Sequence, residues 1–361
     1  MSEITRTFHP IGQGTFFSER LPNFNIVYDC GTTRPVDKKK VAEVVNGAFK
    51  KHDVIDILFI SHFHEDHINL IPLLRASCKQ IRKVIMPCID GAVKSLYSAY
   101  YQLIDEPELA SIVSDPDRYF GSGVVTRVAE HNGIDLYNAD EELYARDIQA
   151  TIRSGENISV SRTMDWSFVP LNVLNIHLKR ELRNELGQRG LLEYNVDELI
   201  EYMKSQPSVL RSIYERQKGG FNDTSMMLYS GPIRSRGRRE IVNCPEASAM
   251  KMYIMLKCNG LDRTGCLLTG DQNLNREAVK HTLRSFLKPT GTFQMPHHGS
   301  YRSFDKNILN HKNSVFITSS GKNNNYGHPS AELVKQILIS GSVHVLVDDH
   351  SDEPYQEKIT F

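Results

Sequence analysis

The most informative segment of the chain is Ile57-Leu58-Phe59-Ile60-Ser61-His62-Phe63-His64-Glu65-Asp66-His67-Ile68-Asn69-Leu70. The apolar run from 54 to 60 predicts a buried strand that ends at Ser61. Four potential metal ligands follow within six residues, namely His62, His64, Asp66 and His67. Neutral imidazoles and a carboxylate suit a borderline divalent ion such as zinc, with manganese or iron as alternatives. The stretch therefore predicts a metal site at the end of a strand.

The spacing of these ligands predicts how they share the site. His62 and His64 are two residues apart, so they project to the same side while the backbone stays extended. Asp66 and His67 would then begin a helix, which the apolar residues between 68 and 74 indicate. This change of conformation lets one short segment reach two neighbouring metal positions. The alternative is a polar loop that happens to be rich in histidine, and the density of ligands directly after a buried strand disfavours it.

The pattern His-x-His-x-Asp-His resembles the signature of the metallo-β-lactamase superfamily. The resemblance implies an α/β (α+β) fold, an αβ/βα sandwich of two mixed sheets flanked by helices, with a metal centre at one edge. On this basis we expect residues 1–361 to form a single domain. Segment 90–220 is then predicted as a largely helical insert that caps the active-site edge.

Composition limits the classes of function. Lysine plus arginine and aspartate plus glutamate both number 43, so the chain lacks the global charge of a nucleic-acid binder, although a local basic groove remains compatible. The N-terminus has no apolar signal-peptide core, and no apolar run is long enough to span a bilayer. The six cysteines show no paired spacing and are expected to be buried, reduced thiols. A soluble cytoplasmic protein, with no membrane partner, is expected.

The remaining pattern predicts the order of elements. Strands are expected at 24–28, 83–87, 148–152, 167–173, 222–229, 250–256, 266–268, 293–295 and 315–319. Helices are expected at 37–51, 92–104, 196–214 and 331–339. The tyrosines at 97, 100, 101 and 119 are candidates to line a substrate groove, but their burial habits favour core packing.

Four arginines follow the strand predicted at 222–229, namely Arg234, Arg236, Arg238 and Arg239. We expect them on a hairpin tip, because a second strand is predicted at 250–256. Such a cluster could contact phosphates. A solvated or disordered tip explains it equally well.

Three later strands end in potential ligands or acid–base groups. They lead into Leu267-Leu268-Thr269-Gly270-Asp271, His297-His298-Gly299-Ser300 and Gly327-His328-Pro329-Ser330. In this order, and with Asn222-Asp223-Thr224-Ser225 before them, the motifs resemble the β-lactamase-like domain of bacterial competence proteins that take part in DNA internalisation. The resemblance covers about two-thirds of the chain and leaves the middle segment unassigned.

The resemblance implies roles for individual residues. Asp271 would bridge two metals, and one or both of His297 and His298 would complete the second site with Asp66 and His67. We favour His297 as the ligand and His298 as a substrate contact. His328 would donate a proton to the leaving group or bind an oxyanion, unless it only begins a helix.

Other residues would support a ligand or contact substrate. Asp29 closes the second strand and would orient a ligand histidine, and the alternative is a turn aspartate that caps the strand end. Asn222, Asp223, Ser300 and Tyr326 are the further candidates.

One departure from the family pattern concerns a missing histidine. Many members have another histidine ligand between the first motif and the bridging aspartate. Only His131 and His177 lie in that interval, without the expected strand context, and Asn222 and Asp223 occupy the corresponding place. The position bearing His62 and His64 is therefore expected to have three protein ligands, to bind metal more weakly, or to fill only with substrate.

These features predict a metal-dependent hydrolase with two divalent ions, zinc first and manganese second. Such a centre activates water as a metal-bound hydroxide. The expected activity is that of a phosphodiesterase or nuclease on a nucleic acid or nucleotide. One alternative is a hydrolase of a small non-phosphate ester, lactone or thioester. The other is a partner-binding component of a multi-protein system with secondary catalysis.

Overall fold

The structure, a computed structural model, describes residues 3–132, 143–144, 149–161, 164–234, 237–310, 312–322 and 324–360. The strands in these ranges are β1 (Glu3–Phe8), β2 (Gln13–Leu21), β3 (Phe24–Thr33), β4 (Val54–Ile55), β5 (Ile57–Phe59), β6 (Gln80–Ile81), β7 (Val84–Pro87), β8 (Val125–Ala129), β9 (Leu143–Tyr144), β10 (Thr151–Arg153), β11 (Ile158–Ser161), β12 (Met164–Leu171), β13 (Met227–Gly231), β14 (Arg238–Asn243), β15 (Gly265–Leu268), β16 (Thr290–Gln294), β17 (Val315–Ser319), β18 (Val343–Val347) and β19 (Tyr355–Thr360).

The helices of the described ranges are α1 (Lys38–Ala48), α2 (Glu65–Ile68), α3 (Ile71–Ser77), α4 (Gly91–Leu103), α5 (Pro107–Ser114), α6 (Pro116–Phe120), α7 (Ile176–Gln188), α8 (Val196–Ser205), α9 (Pro207–Asn222), α10 (Ser248–Cys258), α11 (Glu277–Leu287) and α12 (Ala331–Ile339). Short 3-10 turns occur at Pro296–Gly299, Tyr301–Ser303 and Lys306–Asn310. No helix of the described residues is both long enough and apolar enough to cross a membrane.

The described strands form two large mixed sheets. The first has the order β10-β8-β7-β5-β3-β2-β1-β19-β14, and the second has the order β18-β17-β16-β15-β13-β12-β11-β9. Strands β3, β5, β7, β8 and β10 are parallel, as are β15 to β18. With helices on both outer faces, this is the αβ/βα sandwich of two mixed sheets that the resemblance implied, and the predicted fold class is confirmed.

The apolar residues divide into three layers, as this architecture requires. Ile57 and Phe59 of β5 face the second sheet, whereas Leu58 points to the outer face, where α1 and α3 cover it. This is the two-residue period of a strand that is buried on both sides. A third layer lies between the second sheet and helices α11 and α12.

The predicted strand 54–60 is divided in two by Asp56. Its carboxylate accepts hydrogen bonds from the backbone N–H of Asn25 at 2.8 Å and from the Arg82 guanidinium at 2.7 Å. Because Asp56 is held in this way, β4 pairs with β6 in a separate two-stranded sheet, and only β5 joins the large one. Similarly, the predicted helix 196–214 is two helices, since Pro207 begins α9 at a position where its missing N–H is tolerated.

Two predictions around the arginine-rich segment are wrong. Residues 250–256 form part of helix α10, because strong helix formers occupy them and Ile254 and Cys258, four residues apart, share the buried face. Arg234, Arg238 and Arg239 therefore do not lie on a hairpin tip. Arg234 follows β13 of the second sheet, and Arg238 and Arg239 are the first two residues of β14 at the edge of the first sheet.

Segment 90–220 is more than a helical addition. Strands β8 and β10 extend the first sheet, and β9, β11 and β12 extend the second. Helices α4 and α9 pack together beside the predicted metal loop. That helices α4 and α9 cap the active-site edge stays a prediction.

Candidate metal centre

The predicted ligands meet where the carboxyl ends of β5, β15 and β16 approach one another. The two sheets are joined at this edge by a hydrogen bond from the Met226 N–H to the Ser61 carbonyl at 2.8 Å. The N–H of Asp271 donates to Ser225 Oγ at 3.2 Å, and the N–H of His297 donates to the Gly270 carbonyl at 3.1 Å. Backbone contacts between separate loops therefore fix the positions from which the ligands project.

Asp29 supports the metal loop, as the resemblance implied. Its carboxylate accepts hydrogen bonds from the N–H and the hydroxyl of Ser61, both at 2.7 Å, and from His67 Nδ1 at 2.7 Å. Because Nδ1 of His67 donates to Asp29, its Nε2 is the ring nitrogen directed to the site. Asp29 adopts a left-handed φ of 55°, which turns its side chain under the loop.

His62 and His64 project to the same side, as their spacing predicted. Nε2 of His62 lies 3.1 Å from Nδ1 of His64. Nδ1 of His62 lies 3.0 Å from Ser61 Oγ. Ser61 therefore contacts both Asp29 and a ligand histidine, a role that the sequence analysis did not assign to it.

Asp271 and His298 complete the cluster with Asp66 and His67. Nε2 of His67 lies 3.3 Å from Asp271 Oδ1, and Nε2 of His298 lies 3.2 Å from Asp66 Oδ2 and 3.6 Å from Asp271 Oδ1. Nδ1 of His298 donates to the Ser319 carbonyl at 2.9 Å, which directs Nε2 to the site. The donors form two overlapping groups, one of His62, His67 and Asp271 and the other of Asp66, His67 and His298.

The preference for His297 as the ligand has to be corrected. Its ring is 35% exposed, and its Nε2 lies 3.8 Å from Asp271 Oδ2 and 3.2 Å from Asn222 Nδ2. The reason is the backbone: β16 ends at Gln294, and His297 and His298 both adopt positive φ, at 47° and 53°. This double left-handed turn directs the second ring inward and leaves the first at the rim.

Burial and mutual charge determine the protonation of the ligands. Burial alone would lower the pKa of His67, but the Asp271 and Asp29 carboxylates outweigh it and raise that pKa. Burial opposes ionisation of Asp271, yet His298, His297 and His67 hold the pKa of Asp271 well below its usual range. Burial, together with His67 and His64, lowers the pKa of His62 well below its ordinary value.

The donor set fits divalent ions in spacing and in chemistry. Ligand bonds of roughly 2.1 Å in a tetrahedral site place donor atoms about 3.4 Å apart. The donor-to-donor distances here run from 3.1 to 3.6 Å. Within the described residues, buried Asp271 Oδ1 and Asn222 Oδ1 have no hydrogen-bond partner. Buried polar atoms are normally satisfied, so these atoms indicate a site that a ligand completes.

Aromatic side chains pack around His64. The His64 ring contacts Tyr97, Phe221 and Tyr214, with ring centroids 5.7, 6.3 and 6.5 Å apart. His131 and His177 do not reach the site: His131 contacts Thr282 of α11 at 3.4 Å, and His177 lies exposed on α7.

The tyrosines that were candidates to line a substrate groove lie mainly in the hydrophobic core. Tyr97 and Tyr101 are fully buried, as the packing alternative expected, and Tyr101 donates to the Phe63 carbonyl at 2.6 Å. Tyr100 stacks on Tyr214 at 3.8 Å, and Tyr119 packs at the edge of the same cluster.

Residues 326 and 328 lie at the rim. The His328 ring lies 5.7 Å from that of His297 and stacks on Tyr326 at 5.9 Å. Tyr326 is exposed, whereas Nδ1 of His328 is buried and has no hydrogen-bond partner among the described residues. Burial, and next His297, lowers the pKa of His328 to about 4.

The other predicted contacts sit around the cluster. Ser300 is buried, and its N–H donates to the carbonyls of Pro296 and His297. Asp223 lies beside Arg276, which donates to the Asp223 carbonyl at 2.9 Å, and burial raises the pKa of Asp223 to about 6.

The arginines predicted to contact phosphates are remote from this edge. From Ser225, which contacts Asp271, the chain runs six residues to Gly231 at the end of β13, at about 3.3 Å per residue. The arginine-rich segment therefore begins roughly 20 Å from the metal centre. Arg239 is fully buried and donates to Thr292 Oγ1 at 3.0 Å, so it cannot reach a substrate. Arg234 and Arg238 are exposed at the far edge, and Arg236 lies outside the described residues.

Comparison with solved structures gives distant likenesses. The metallo-β-lactamase fold protein YhfI from Bacillus subtilis is 9% identical, with a TM-score of 0.44 over 99% of this chain and 100% of that chain. Igni18, a novel metallo hydrolase from the archaeon Ignicoccus hospitalis, is 10% identical, with a TM-score of 0.43 over 98% of both chains. The short form of human tRNase Z is 11% identical, with a TM-score of 0.36 over 94% of this chain and 92% of that chain.

No family model matches the chain, and no curated protein matches it. At such identities and TM-scores the solved structures indicate nothing about activity. The narrower resemblance to competence proteins stays a prediction.

Proposed function

We propose that this chain is a metal-dependent hydrolase whose substrate is a phosphodiester in a nucleic acid or nucleotide. The observation that supports this most is the ring of imidazole and carboxylate donors, spaced 3.1 to 3.6 Å apart at the shared edge of the sheets. Divalent ions bound there would supply Lewis acidity and an activated water for hydrolysis.

Hydrogen bonds with neighbouring groups orient this donor set toward the site. Asp29 and the Ser319 carbonyl accept the Nδ1 protons of His67 and His298, so each Nε2 is directed to the site and can bind a metal ion once its own proton has left. His67 belongs to both groups, and Asp271 of the first group lies 3.3 Å from His67 and 3.6 Å from His298 of the second. We therefore assign His62, His64, Asp66, His67, Asp271 and His298 to metal binding.

The rim supplies hydrogen-bond donors for the substrate. His297 lies 3.8 Å from Asp271 Oδ2, and the Asn222 amide and the His328 ring lie beside His297. With a pKa of about 4, His328 is neutral at pH 7 and can donate its N–H to an anionic oxygen. We assign it to the departing oxygen or to a non-bridging phosphoryl oxygen.

A phosphodiester fits this rim better than an acyl compound does. A small ester or thioester with an apolar acyl group needs an open apolar pocket beside the metals. The aromatic side chains next to His64 are instead fully buried or nearly so, with Tyr97 and Phe221 at 0% exposure. The groups that a substrate would meet in the described part of the site are polar.

The test compares Asp271→Asn with the wild type on bis-p-nitrophenyl phosphate, single- and double-stranded DNA, RNA and cyclic nucleotides. Loss of groups that only support a ligand typically costs ten- to a hundredfold, so loss of a shared ligand should cost more than about a hundredfold. Asp117→Asn is the matched control, because Asp117 only pairs with Arg127 on the surface. Strong turnover of lactones or thioesters, with none on any phosphodiester, would refute the proposed substrate.

The role of His328 has its own test. His328→Ala should leave metal content unchanged and lower hydrolysis of an alkyl phosphodiester by roughly a hundredfold or more. A nitrophenyl ester needs little help for its leaving group and should lose much less. Equal losses on both substrates would show that His328 binds the phosphoryl group instead.

A further inference from the structure

A charged cleft adjoins the candidate metal centre on the outer face of the second sheet. It lies between helix α11 and the segment from 301 to 310, and consists of two neighbouring cavities, each of about 530 Å³, whose linings share Asp305 and Asn307. The cationic side chains are Lys280, Arg284 and Lys288 in one cavity and Arg302 and Lys306 in the other, which is also lined by the aromatic rings of Tyr301 and Phe304. The balanced charge of the chain is compatible with a local basic groove, whose position the sequence does not indicate.

The cleft has a surplus of positive charge in a chain whose net charge is zero. Five cationic side chains line it against two anionic ones, Glu277 and Asp305. Glu277 pairs with Lys280 at 2.9 Å, and the Asp305 carboxylate accepts hydrogen bonds from Asn307. Within the described residues, the other four cations have no ion pair within 4.0 Å and no side-chain hydrogen bond.

The cleft is tied to the metal centre by two loops. One follows Asp271 and the other follows His298, and they run side by side: the Leu274 N–H donates to the Ser303 carbonyl at 2.9 Å, and Asn275 Nδ2 donates to the Arg302 carbonyl at 2.8 Å. Arg302 is four residues after His298, and four residues of chain span at most about 14 Å. A chain that lies in the cleft therefore reaches the metal ligands within a few monomer units.

The arrangement of the cations suits a linear polyanion. Lys280, Arg284 and Lys288 recur every four residues, so they form one stripe along α11 with about 6 Å between neighbours. The opposite stripe of the helix, with Val279, Leu283 and Phe286, is buried against the second sheet. Arg302 and Lys306 line the second cavity, which shares Asp305 and Asn307 with the cavity that borders α11. The half-buried ring of Tyr301 lies at the end nearer the metal centre, where it can stack on a base.

We infer that this cleft binds single-stranded nucleic acid and leads it to the metal centre. The inference deepens the proposed phosphodiesterase function and rests on it for the fate of the bound strand. The phosphates would lie along Arg284, Lys288, Arg302 and Lys306, and a base would stack on Tyr301. An acidic protein segment is the competing occupant, but it would make no use of an aromatic ring at the catalytic end.

The test measures binding of fluorescent 15-nucleotide single strands by anisotropy, with chelator present so that no strand is cut. The triple variant Arg284→Gln, Arg302→Gln and Lys306→Gln should weaken binding at least about tenfold. Each lost phosphate contact lowers the slope of log affinity against log salt by about 0.7 on single strands, so the slope should fall by about 2. DNA and RNA of one sequence form separate arms, which show whether the cleft distinguishes the sugar.

The matched control is Lys38→Gln, Lys39→Gln and Lys50→Gln, in and beside α1 on the outer face of the first sheet. It removes the same charge and should leave affinity and slope nearly unchanged. Equal weakening in both variants would overturn the inference, since it would show binding through overall charge. Binding of poly-glutamate but of neither nucleic acid would overturn it in favour of a protein partner.

Hydrolysis of bis-p-nitrophenyl phosphate separates this inference from the proposed function. The small substrate does not reach the cleft, so the triple cleft variant should hydrolyse it at the wild-type rate. If the wild type binds strands through the cleft yet hydrolyses no phosphodiester, the cleft stands and the proposed activity fails. If the triple variant loses its thermal unfolding transition, the single variant Arg302→Gln decides, with a slope change of about 0.7 expected.

Discussion

At the scale of single residues, the sequence predicted which side chains gather at this edge but not which of two adjacent histidines points inward. His62, His64, Asp66, His67 and Asp271 lie within one cluster, as predicted from their motifs. His298 replaces His297 because two successive positive φ angles reverse the expected order. Backbone sterics make such angles rare in residues other than glycine, so no sequence pattern predicts them.

This correction leads to a direct prediction. His298→Ala should lose at least one metal equivalent and remain folded, because its Nε2 lies 3.2 Å from Asp66 and 3.6 Å from Asp271. His297→Ala should keep its metal, because its nearest ligand oxygen is 3.8 Å away and the ring is partly exposed. Elemental analysis of both variants, purified without chelator, measures this. The reverse pattern would restore His297 as the ligand.

A second residue-scale prediction concerns His9. Its ring is buried, stacks on Phe16 at 4.0 Å and lies 2.8 Å from Ser18 Oγ. Burial, and next Arg20, lowers the pKa of His9 to about 3. The unfolded chain takes up a proton at about pH 6.5, whereas the folded chain does so only near pH 3. The contribution of His9 to stability is therefore complete above pH 6.5 and is lost as the pH falls toward 3.

Replacing His9 with glutamine should remove this pH dependence. The free energy of unfolding of the wild type should fall relative to His9→Gln by up to about 1.4 kcal/mol per pH unit between pH 6 and 4. Urea unfolding of both proteins in chelator at pH 7, 6, 5 and 4 measures the difference. The control is His52→Gln, at a side chain that is 83% exposed. A difference between wild type and His9→Gln that does not change with pH would contradict the account.

At the scale of elements, a buried polar layer crosses the sandwich far from the metals. Arg6 of β1 donates to Glu19 Oε1 at 2.6 Å and contacts Glu357 of β19 in the same sheet. Arg6 also donates to the Thr264 carbonyl at 3.2 Å, and Thr292 of the second sheet donates to Glu357 at 2.9 Å. The sequence analysis missed this layer because isolated charges within alternating strands resemble solvent-facing positions.

The helix α10 shows a second limit of sequence patterns. The segment from 250 to 256 contains apolar residues in an order that also fits a strand, and only its tertiary neighbours decide between the two. Ile254 and Cys258 are buried, whereas Met252 and Leu256 are exposed by 61% and 79%. Long, strongly periodic elements such as α12 were predicted at their observed bounds.

The contact between β3 and the metal loop gives an element-scale prediction. A Cβ at Gly31 would lie 2.6 Å from the backbone N and C of His67. Because backbone atoms rather than a flexible side chain stand in the way, Gly31→Ala must displace the loop. We expect a loss of stability of about 1–3 kcal/mol and a zinc affinity reduced more than tenfold.

Gly47→Ala is the matched control for this change. Nothing lies within 4 Å of a Cβ at Gly47, which is inside α1, so alanine should be neutral or stabilise by up to about 1 kcal/mol. Thermal unfolding and zinc titration of both variants make the comparison. Equal stability and equal zinc affinity in Gly31→Ala and Gly47→Ala would refute the close contact.

At the scale of the whole molecule, the two ends of the sandwich differ in character. One end carries the donor cluster and the rim histidines, and the cleft runs from there along α11 toward the other end. The opposite end carries the exposed Arg234 and Arg238, for which phosphate contact and a solvated tip were equally good explanations of the sequence. In the sequence, these arginines follow soon after Asn222. Strand β13 runs away from the metal centre, however, so in the structure they lie at the far edge. The sequence shows charge clusters, whereas only the topology shows which edge they occupy.

We propose that this edge holds divalent ions and uses them to cleave phosphodiesters. The most direct measurement is the hydrolysis of bis-p-nitrophenyl phosphate by chelator-stripped protein while zinc or manganese is titrated back, with bound metal counted in the same samples. We expect no turnover without metal, and turnover that rises with bound metal and saturates at no more than two equivalents. In Asp271→Asn we expect neither this rise in turnover nor the uptake of two equivalents. Turnover that persists without metal, or a stripped protein that takes up no metal, would contradict the proposal.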